Sequence, residues 1–450
     1  MNSTHPLAER TTFARRVPAV RLLIAAALVL AISPCQSQSQ GSVASITGRI
    51  SVAPDSLVVS LLTVGQGEEL FNRFGHAAIR IRNPATGLDS AWNWGMFDFA
   101  APKFLTRFLT GETQYWMAGS PSEWFIEGSR RAGRAMWEQD LALTRAESDS
   151  LLRLLRWNAL EENKFYRYDY YLDNCSTRIR DVIDAISGGA LRSAMSSDGG
   201  SVTWRSETLR LTRDFPFVGF GMTFALGPRA DEVLSVWDEA FIPMRLRDAI
   251  RAASVARPGV GPVPLVQNER TLVPLGEFVE ANSPPIFLGY GLLIGLGVAI
   301  VISLLGRSAR ASAAARLTVQ GFGAAWHLAL GAAGTLVLLA GLFTRHEFMA
   351  VNASILLGTP VSLALVVLYA RAWSPRASER TRRAGEALAM FAAVAALLAL
   401  LAHLVPSLGP RDWAPVALVL PVHIALALAL RAHGRSRSAP TAARAQPQAW

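Results

Sequence analysis

Two side chains in the first half of the chain could together carry out nucleophilic catalysis, Cys175 and His76. Cys175 lies in the segment YRYDYYLDNCSTRIRDVIDAISGG, residues 166–189, and is one of two cysteines in 450 residues. A thiol becomes an effective nucleophile when a neighbouring base takes its proton or when its pKa is lowered. Of the seven histidines, only His5 and His76 precede Cys175, and His5 falls in a predicted targeting segment. His76 is therefore the base expected to serve Cys175.

The element that must position the thiol is an amphipathic helix that begins at Cys175. Apolar residues follow at helical spacing and predict one buried face, namely Ile179, Val182, Ile183 and Ile186. Asp173 or Asn174 can cap the helix start, and Gly188-Gly189 ends it. Backbone N–H groups at a helix start carry partial positive charge, which predicts a lowered thiol pKa. A free cysteine can also be an ordinary core residue, and the histidine is what favours catalysis.

The base is predicted to lie near the start of a strand. Residues 57–64 read as a buried strand, and residues 74–82, FGHAAIRIR, read as the next strand, with His76 near its start. Residues 89–99, DSAWNWGMFDF, alternate and contain aromatics, which predicts a hairpin with the histidine strand. Asn93 and Asp98 are the polar residues on that strand that could orient an imidazole.

Further elements are predicted from local patterns. Thr144 and Glu147 form a capping-box pattern that opens a helix to about Asn158. The other expected elements are a helical turn at 104–109, a strand at 134–143, strands at 219–226 and 271–273, and a helix at 243–253.

The second half of the chain has the composition of a membrane domain. Hydrophobic residues make up 51% of the chain, mean hydropathy is +0.27, and the apolar excess follows Pro285. Five stretches approach the ~20 residues that cross a bilayer as a helix. They are residues 286–305, 317–343, 351–369, 384–404 and 413–430.

The arginines predict the orientation of these spans, because short cytoplasmic loops collect positive charge. Loops around residues 307–316 and 371–383, and the tail from 431, are Arg-rich and fall on one side. That side is predicted to be cytoplasmic. The formal net charge of +10 is then a consequence of topology and does not indicate nucleic-acid binding.

The N-terminus has the pattern of a secretory signal, with arginines before a short apolar run at residues 22–32. Both a cleaved signal peptide and an uncleaved anchor fit this pattern. Pro34 directly before Cys35 argues against lipidation of that cysteine. The predicted organisation is a signal peptide or anchor at 1–35, a linker at 36–56, an exported catalytic domain at 57–280, a five-helix transmembrane domain at 286–430 and a basic cytoplasmic tail at 431–450.

Four motifs together carry a family resemblance. FGHAAIRI, NWGMFDF, YRYDYYLDNCSTRIRD and, in the membrane part, HEFMAVNASILLGTP resemble the Lnb-type family of bacterial lipoprotein N-acyltransferases. The resemblance implies an α+β domain of circularly permuted papain or NlpC-like fold, as in lecithin:retinol acyltransferase-like proteins, followed by an all-α transmembrane bundle. In such a permuted domain the histidine strand precedes the cysteine helix, which is the order seen here.

The resemblance also implies a site and a reaction. Cys175 would be the acyl-accepting nucleophile and His76 the general base, with Asn93 favoured over Asp98 as the group that orients the imidazole. The implied reaction moves a fatty acyl chain within a diacylglyceryl lipoprotein to its N-terminal amine, giving a lyso-form lipoprotein. The implied partners are diacylglyceryl lipoproteins and membrane lipid. The sequence shows no metal-binding cluster, Gly-rich phosphate loop or nucleotide motif, so no cofactor or metal is expected. The implied location is the bacterial inner membrane, with the catalytic domain on the periplasmic side.

Four residues are secondary candidates for the site: Asn174, Arg178, His346 and Asp98, the last as the competing group to orient the imidazole. Asn174 adjoins the nucleophile. Arg178 could act at the site, although a local ion pair with Asp181 one turn away explains it more simply. His346 and Asn352, in an outward loop, could shape a lipid entrance, although capping of the neighbouring span explains them equally well.

Two other functions use the same sequence features. A Cys/His peptidase or amidase of the NlpC type that cuts cell-wall peptides would keep the same site, although nothing in the chain resembles a wall-binding module. A non-catalytic membrane sensor or scaffold would need neither Cys175 nor His76, so the presence of both argues against it.

Overall fold

The structure is a computed structural model, and it describes residues 57–257, 259–276, 278–309 and 311–438. The predicted signal peptide or anchor, the linker and the end of the tail lie outside these residues. The strands in chain order are β1 Val58–Val64, β2 His76–Asn83, β3 Leu88–Met96, β4 Gln114–Pro121, β5 Met136–Leu141, β6 Phe165–Arg167, β7 Asp198–Thr203, β8 Val233–Ser235, β9 Ser254–Arg257, β10 Gly261–Pro264 and β11 Val266–Val273.

The helices of the first domain connect and cover these strands. They are α1 Phe104–Thr110, α2 Ser122–Arg131, α3 Arg145–Asn158, α4 Cys175–Ile186, α5 Ala190–Ala194, α6 Trp204–Leu211, α7 Pro216–Ala225, α8 Val236–Glu239 and α9 Pro243–Ala252. The later helices are α10 Phe287–Ser308, α11 Ala313–Phe343, α12 Ser362–Ala372, α13 Glu379–Ala402 and α14 Ala414–Ser438.

A seven-stranded antiparallel sheet organises the first domain, in the order β11-β5-β1-β2-β3-β4-β6. Strand β2, which begins at His76, is the central strand and pairs with β1 on one side and β3 on the other. The predicted hairpin is confirmed, with Asn83 opposite Leu88 at its closed end. The strand that begins at His76 is thus held between two neighbouring strands.

The two faces of the sheet are covered by different helices. Helices α3 and α4 bury one face against residues such as Ile79 and Ile81, and Leu151, Ile179 and Ile183 are themselves fully buried. Burial of each such side chain stabilises the fold by about 1.5–3 kcal/mol. On the other face, Phe125 of α2 packs with the buried side chains of Leu62, Ala78 and Ala91. The cysteine helix is thus fixed to the strand that carries the histidine.

Several local predictions are confirmed and one is wrong. The capping box at Thr144 is present, with the Thr144 side chain accepting from Glu147 N and the Glu147 side chain from Thr144 N. The strand expected at residues 219–226 is a helix instead, since this segment belongs to α7. A short apolar run fits a buried helix as well as a strand, and Pro216 at the first helical turn favours the helix.

Among the described residues, five helices of the second domain are long and apolar enough to cross a membrane, by length and composition. They cover Phe287–Ser308, Ala313–Phe343, Ala353–Ala372, Glu379–Ala402 and Ala414–Arg435. Glycines allow the first and last of these to approach closely, because a Cβ on Gly291 would lie 2.6 Å from the Ala414 carbonyl oxygen. Gly306 similarly faces Ala429. Small residues of this kind are typical of membrane helix interfaces.

The two domains are joined through the loop that follows α11. Phe348 of this loop is 1% exposed and packs among aromatic rings of the first domain, 4.6 Å from Tyr171 and 5.5 Å from Trp204 between ring centroids. Its carbonyl accepts a hydrogen bond from Gly227 N (2.7 Å). Farther along, Arg411 N donates to a carboxylate oxygen of Asp231. Both connections between spans therefore lie against the first domain, on the same side of the bundle.

Candidate active site

The start of α4 is fixed by its cap. The side-chain oxygen of Asn174 accepts hydrogen bonds from Ser176 N (2.8 Å) and Thr177 N (3.0 Å), and Thr177 Oγ1 accepts from Asn174 N (2.8 Å). Asn174 therefore caps the helix, and Asp173 does not. The Asn174 amide also donates to the carbonyl oxygens of Tyr170 and Phe241. These bonds fix where the chain enters the helix and therefore fix the position of Cys175, its first residue.

The imidazole of His76 is held by Asn93 on the neighbouring strand. Nε2 of His76 donates a hydrogen bond to Oδ1 of Asn93 (3.3 Å), and Asn93 is 5% exposed. The other ring nitrogen, Nδ1, is then the one that can accept a proton. Asp98 takes no part in this contact, since its carboxylate accepts from Ala100 N in the following turn. Of the two residues weighed as the orienting group, Asn93 is the one in contact with His76.

Gly95 brings the thiol and the imidazole together. Its φ is +95°, a conformation that L side chains rarely adopt. A Cβ built there would lie 3.7 Å from Cys175 Cβ and 3.8 Å from His76 Cε1. Both side chains therefore border the same small space above the end of β3. The sequence patterns did not identify Gly95. The signal that could have found it is a glycine inside a strand pattern, which often marks a close backbone approach.

The Cys175 thiol is a neutral group in this environment. The residue is only partly exposed, and burial raises the pKa of Cys175 to about 11. The N–H groups of Ala77, Ser176 and Cys175 itself, and the charge of Arg134, act in the opposite direction. The expectation of a net lowered pKa is therefore wrong. The N–H groups at the helix start lower the thiol pKa, as predicted, but the removal of the thiolate from water raises it by more.

The imidazole is neutral as well. The pKa of His76 is lowered to about 4, chiefly by burial and also by the charge of Arg134, while the hydrogen bond with Asn93 acts in the opposite direction. The resting site accordingly holds an uncharged thiol and an uncharged base.

Arg134 is a part of this environment that sequence patterns did not reveal. Its guanidinium donates two hydrogen bonds to the Gly65 carbonyl (3.0 and 2.9 Å) and one to Asn72 Oδ1 (2.8 Å). Burial lowers the pKa of Arg134 to about 10. The arginine precedes β5 and reaches the site only because β5 pairs with β1, so its role depends on the sheet order.

The secondary candidates have other contacts. Arg178 pairs with Asp173, not with Asp181, and its guanidinium lies 4.3 Å from the ring centroid of Tyr166. Asp181 pairs with Arg180 instead (2.8 Å). The predicted pair of Arg178 with Asp181 is therefore wrong, because the chain before the helix brings Asp173 closer.

His346 and Asn352, in the loop after α11, make different contacts. His346 Nε2 donates to the Phe108 carbonyl (3.1 Å), and its ring lies 6.1 Å from that of Tyr170. Asn352 caps a short 3₁₀ helix through Ser354 N and donates to the carbonyl oxygens of Phe224 and Ala225. Capping thus accounts for Asn352, whereas His346 connects the loop to α1.

The first domain is an antiparallel sheet with a helix, headed by Cys175, packed on the strand that begins at His76. Five long apolar helices follow it among the described residues. This arrangement defines a membrane protein with an α+β domain in which the histidine strand precedes the cysteine helix. Comparison with family models gives two matches: the Lnb N-terminal periplasmic domain over residues 48–210 and the Lnb transmembrane domain over residues 291–434. The chain belongs to the Lnb family. It is a multi-pass membrane protein with a periplasmic domain, and its membership indicates lipoprotein processing. Comparisons with curated proteins and with solved structures gave no match.

Proposed function

We propose that this protein is a thiol acyltransferase that moves a fatty acyl chain onto the N-terminal amine of diacylglyceryl lipoproteins through a thioester on Cys175. In the intramolecular form that the family resemblance implies, the chain leaves the glycerol of the same lipoprotein and the product is a lyso-form. The observation that carries the proposal is the cluster around Gly95, in which Cys175 and His76 border one space and Asn93 holds the imidazole. The attached membrane domain supports a lipid substrate.

The first half-reaction forms the thioester. The Cys175 sulfur attacks the ester carbonyl carbon while Nδ1 of His76 takes the thiol proton. The oxyanion that forms would be bound by the Cys175 N–H at the start of α4, which lies beside its own sulfur. The next two N–H groups, of Ser176 and Thr177, already donate to the Asn174 side chain. The intermediate then breaks the C–O bond, and His76 returns its proton to the departing glycerol oxygen.

The second half-reaction forms the amide. The α-amine of the lipoprotein attacks the thioester carbonyl and gives a proton to His76. The C–S bond breaks, and the proton passes to the sulfur, which restores the thiol. Because Asn93 holds Nε2 of His76, the same Nδ1 can act as base and then as acid in each half-reaction. Charge is present on Cys175 and His76 only while a substrate fills the site.

Mass spectrometry of lipoprotein N-termini tests the proposal. The protein is expressed in cells that make only diacylglyceryl lipoproteins, and the N-terminal lipopeptide is fragmented. Intramolecular transfer leaves the total mass unchanged and moves one chain from glycerol to the amine. A phospholipid donor presents the same kind of ester but adds the mass of a third chain. An NlpC-type peptidase leaves the lipid unchanged, and an unmodified amine beside folded, membrane-inserted protein would contradict the proposal.

Variants connect the product to the site. Cys175→Ala and His76→Ala should each abolish the N-acylated product, and the double variant should be scarcely worse than the poorer single one, because members of one catalytic unit are not additive. Cys35→Ser, which removes the other cysteine of the chain, is the matched control and should retain activity. Near-normal acylation by folded Cys175→Ala would exclude the thioester.

A further inference from the structure

Helix α1 presents an apolar stripe to its surroundings. Leu105, Phe108 and Leu109 stand at positions i, i+3 and i+4, so they share one face of the helix. Their exposed fractions are 48%, 49% and 56%, and Phe99 in the preceding turn is 56% exposed. An exposed patch of large apolar residues on one short helix indicates a surface that is covered by an apolar partner.

The position of α1 identifies that partner as the membrane. The last residues of α1 contact the loop that follows the second span: Arg345 N donates to the Thr110 carbonyl (2.9 Å), and His346 Nε2 to the Phe108 carbonyl (3.1 Å). Arg345 comes two residues after Phe343, the end of that span, and Phe343 is 73% exposed. The apolar stripe therefore continues the lipid-facing surface of the bundle at the level where the span ends.

A row of aromatic rings leads inward from this stripe. Phe99 contacts Phe97 with ring centroids 4.8 Å apart, Phe97 stacks on Tyr115 at 5.0 Å, and Tyr115 stacks on Tyr168 at 4.3 Å. Tyr168 belongs to the segment that leads into Cys175. The row thus begins at an exposed ring and ends beside the nucleophile's helix.

The backbone gives the same path independently. Phe97 is two residues from Gly95, whose Cβ position lies 3.7 Å from Cys175 Cβ. Strand β4 brings Tyr115 alongside, because its neighbour Trp116 pairs with Met96. Phe97, directly after β3, and Tyr115, on the adjacent strand β4, therefore line one route between the exposed stripe and the thiol.

We propose that the stripe on α1 inserts into the periplasmic leaflet of the bilayer and that the aromatic row is the wall along which an acyl chain passes from the membrane to Cys175. The role of Cys175 as acyl acceptor rests on the function proposed above, whereas the membrane contact of α1 does not. An acyl chain that leaves hydrocarbon for water loses ~0.8 kcal/mol per methylene. An apolar wall that starts in the bilayer removes most of that cost, because the chain stays in contact with apolar atoms.

The depth of α1 can be measured without any acyl transfer. A cysteine is introduced as Leu109→Cys in a Cys35→Ser, Cys175→Ser background, labelled with an environment-sensitive NBD dye, and reconstituted into vesicles that contain doxyl-labelled phospholipid. Val260→Cys is the matched control, since Val260 is 75% exposed at the tip of the β9–β10 hairpin. We expect strong quenching and a blue-shifted emission at position 109 and neither at position 260. Equal quenching at the two positions would overturn the membrane contact.

The route to the thiol can be measured with two alkylating reagents. In the Cys35→Ser protein, Cys175 is the remaining cysteine, and its labelling by N-decylmaleimide from vesicles is compared with that by water-soluble N-ethylmaleimide. We expect Leu105→Gln, Phe108→Gln and Leu109→Gln together to slow the long-chain reagent about tenfold and the short one little. Glutamine keeps the helix propensity of leucine, and an unchanged short-reagent rate shows that the site is folded.

The outcomes separate this inference from the proposed function. Val260→Gln should leave both labelling rates unchanged. If the triple variant labels normally with N-decylmaleimide, the route is wrong even where lipoprotein acylation is intact. If the triple variant slows only the long-chain reagent while the wild-type protein acylates no lipoprotein, the route stands and the substrate assignment fails.

Discussion

The uncharged resting pair makes a sharp prediction for the reactivity of Cys175 as pH is varied. Burial raises the pKa of this thiol from 9.0 to about 11, which corresponds to about 3 kcal/mol disfavouring the thiolate. At pH 7 the thiolate fraction is then about one in ten thousand, roughly a hundredfold below that of a cysteine with the ordinary value. The rate of alkylation by iodoacetamide should therefore rise about tenfold per pH unit from pH 6 to about pH 10.

The assay is the rate of carbamidomethylation of Cys175 in the Cys35→Ser protein, followed by peptide mass spectrometry in detergent without substrate. His76→Ala is the matched variant. Because His76 is neutral in the resting site, its removal should leave the pH slope unchanged, even though it should abolish acyl transfer. A rate that is flat between about pH 5 and pH 9, and that collapses in His76→Ala, would indicate a thiolate–imidazolium pair and refute the reasoning.

Three further predictions follow from other contacts. Asn93→Ala should lower kcat for lipoprotein acylation about a hundredfold by releasing the imidazole, while Asp98→Ala should change it less than about twofold; equal losses would remove Asn93 from its orienting role. Phe348→Ala should cost about 3–5 kcal/mol by emptying the aromatic cluster between the domains, seen as a lower Tm in detergent, and an unchanged Tm would show that the junction does not depend on this ring. An export-dependent phosphatase should be active when fused after Phe343 and inactive after Leu430, and the opposite pattern would reverse the predicted topology.

Much of the fold follows from local patterns, because the relevant interactions are close in sequence. The helix that begins at Cys175 could be predicted from its apolar spacing, a capping residue and the Gly188-Gly189 pair. Both of these glycines have positive φ. The hairpin of β2 and β3 could be predicted from the alternation of apolar and polar residues and from the turn between the strands. The strand predicted at residues 219–226 was wrong because a short apolar segment has no period that separates a helix from a strand.

The site was less accessible to sequence reasoning, because its electrostatics depend on distant parts of the chain. The contact between His76 and Asn93 followed from strand pairing, but Arg134 reaches the site only through the order of strands in the sheet. The sign of the Cys175 pKa shift was missed for a related reason. Proximity to a helix start can be read from sequence, whereas the degree of desolvation depends on packing against β2 and β3. The aromatic route likewise joins residues 97, 115 and 168, which no local pattern connects.

Burial of the thiol also bears on how the protein survives in its compartment. The periplasm is oxidising, and peroxides and disulfides react with a thiolate far faster than with a thiol. Because Cys175 stays protonated between turnovers, it resists conversion to sulfenic acid or to a mixed disulfide. The burial that keeps the Cys175 thiol protonated thus also protects it from oxidation.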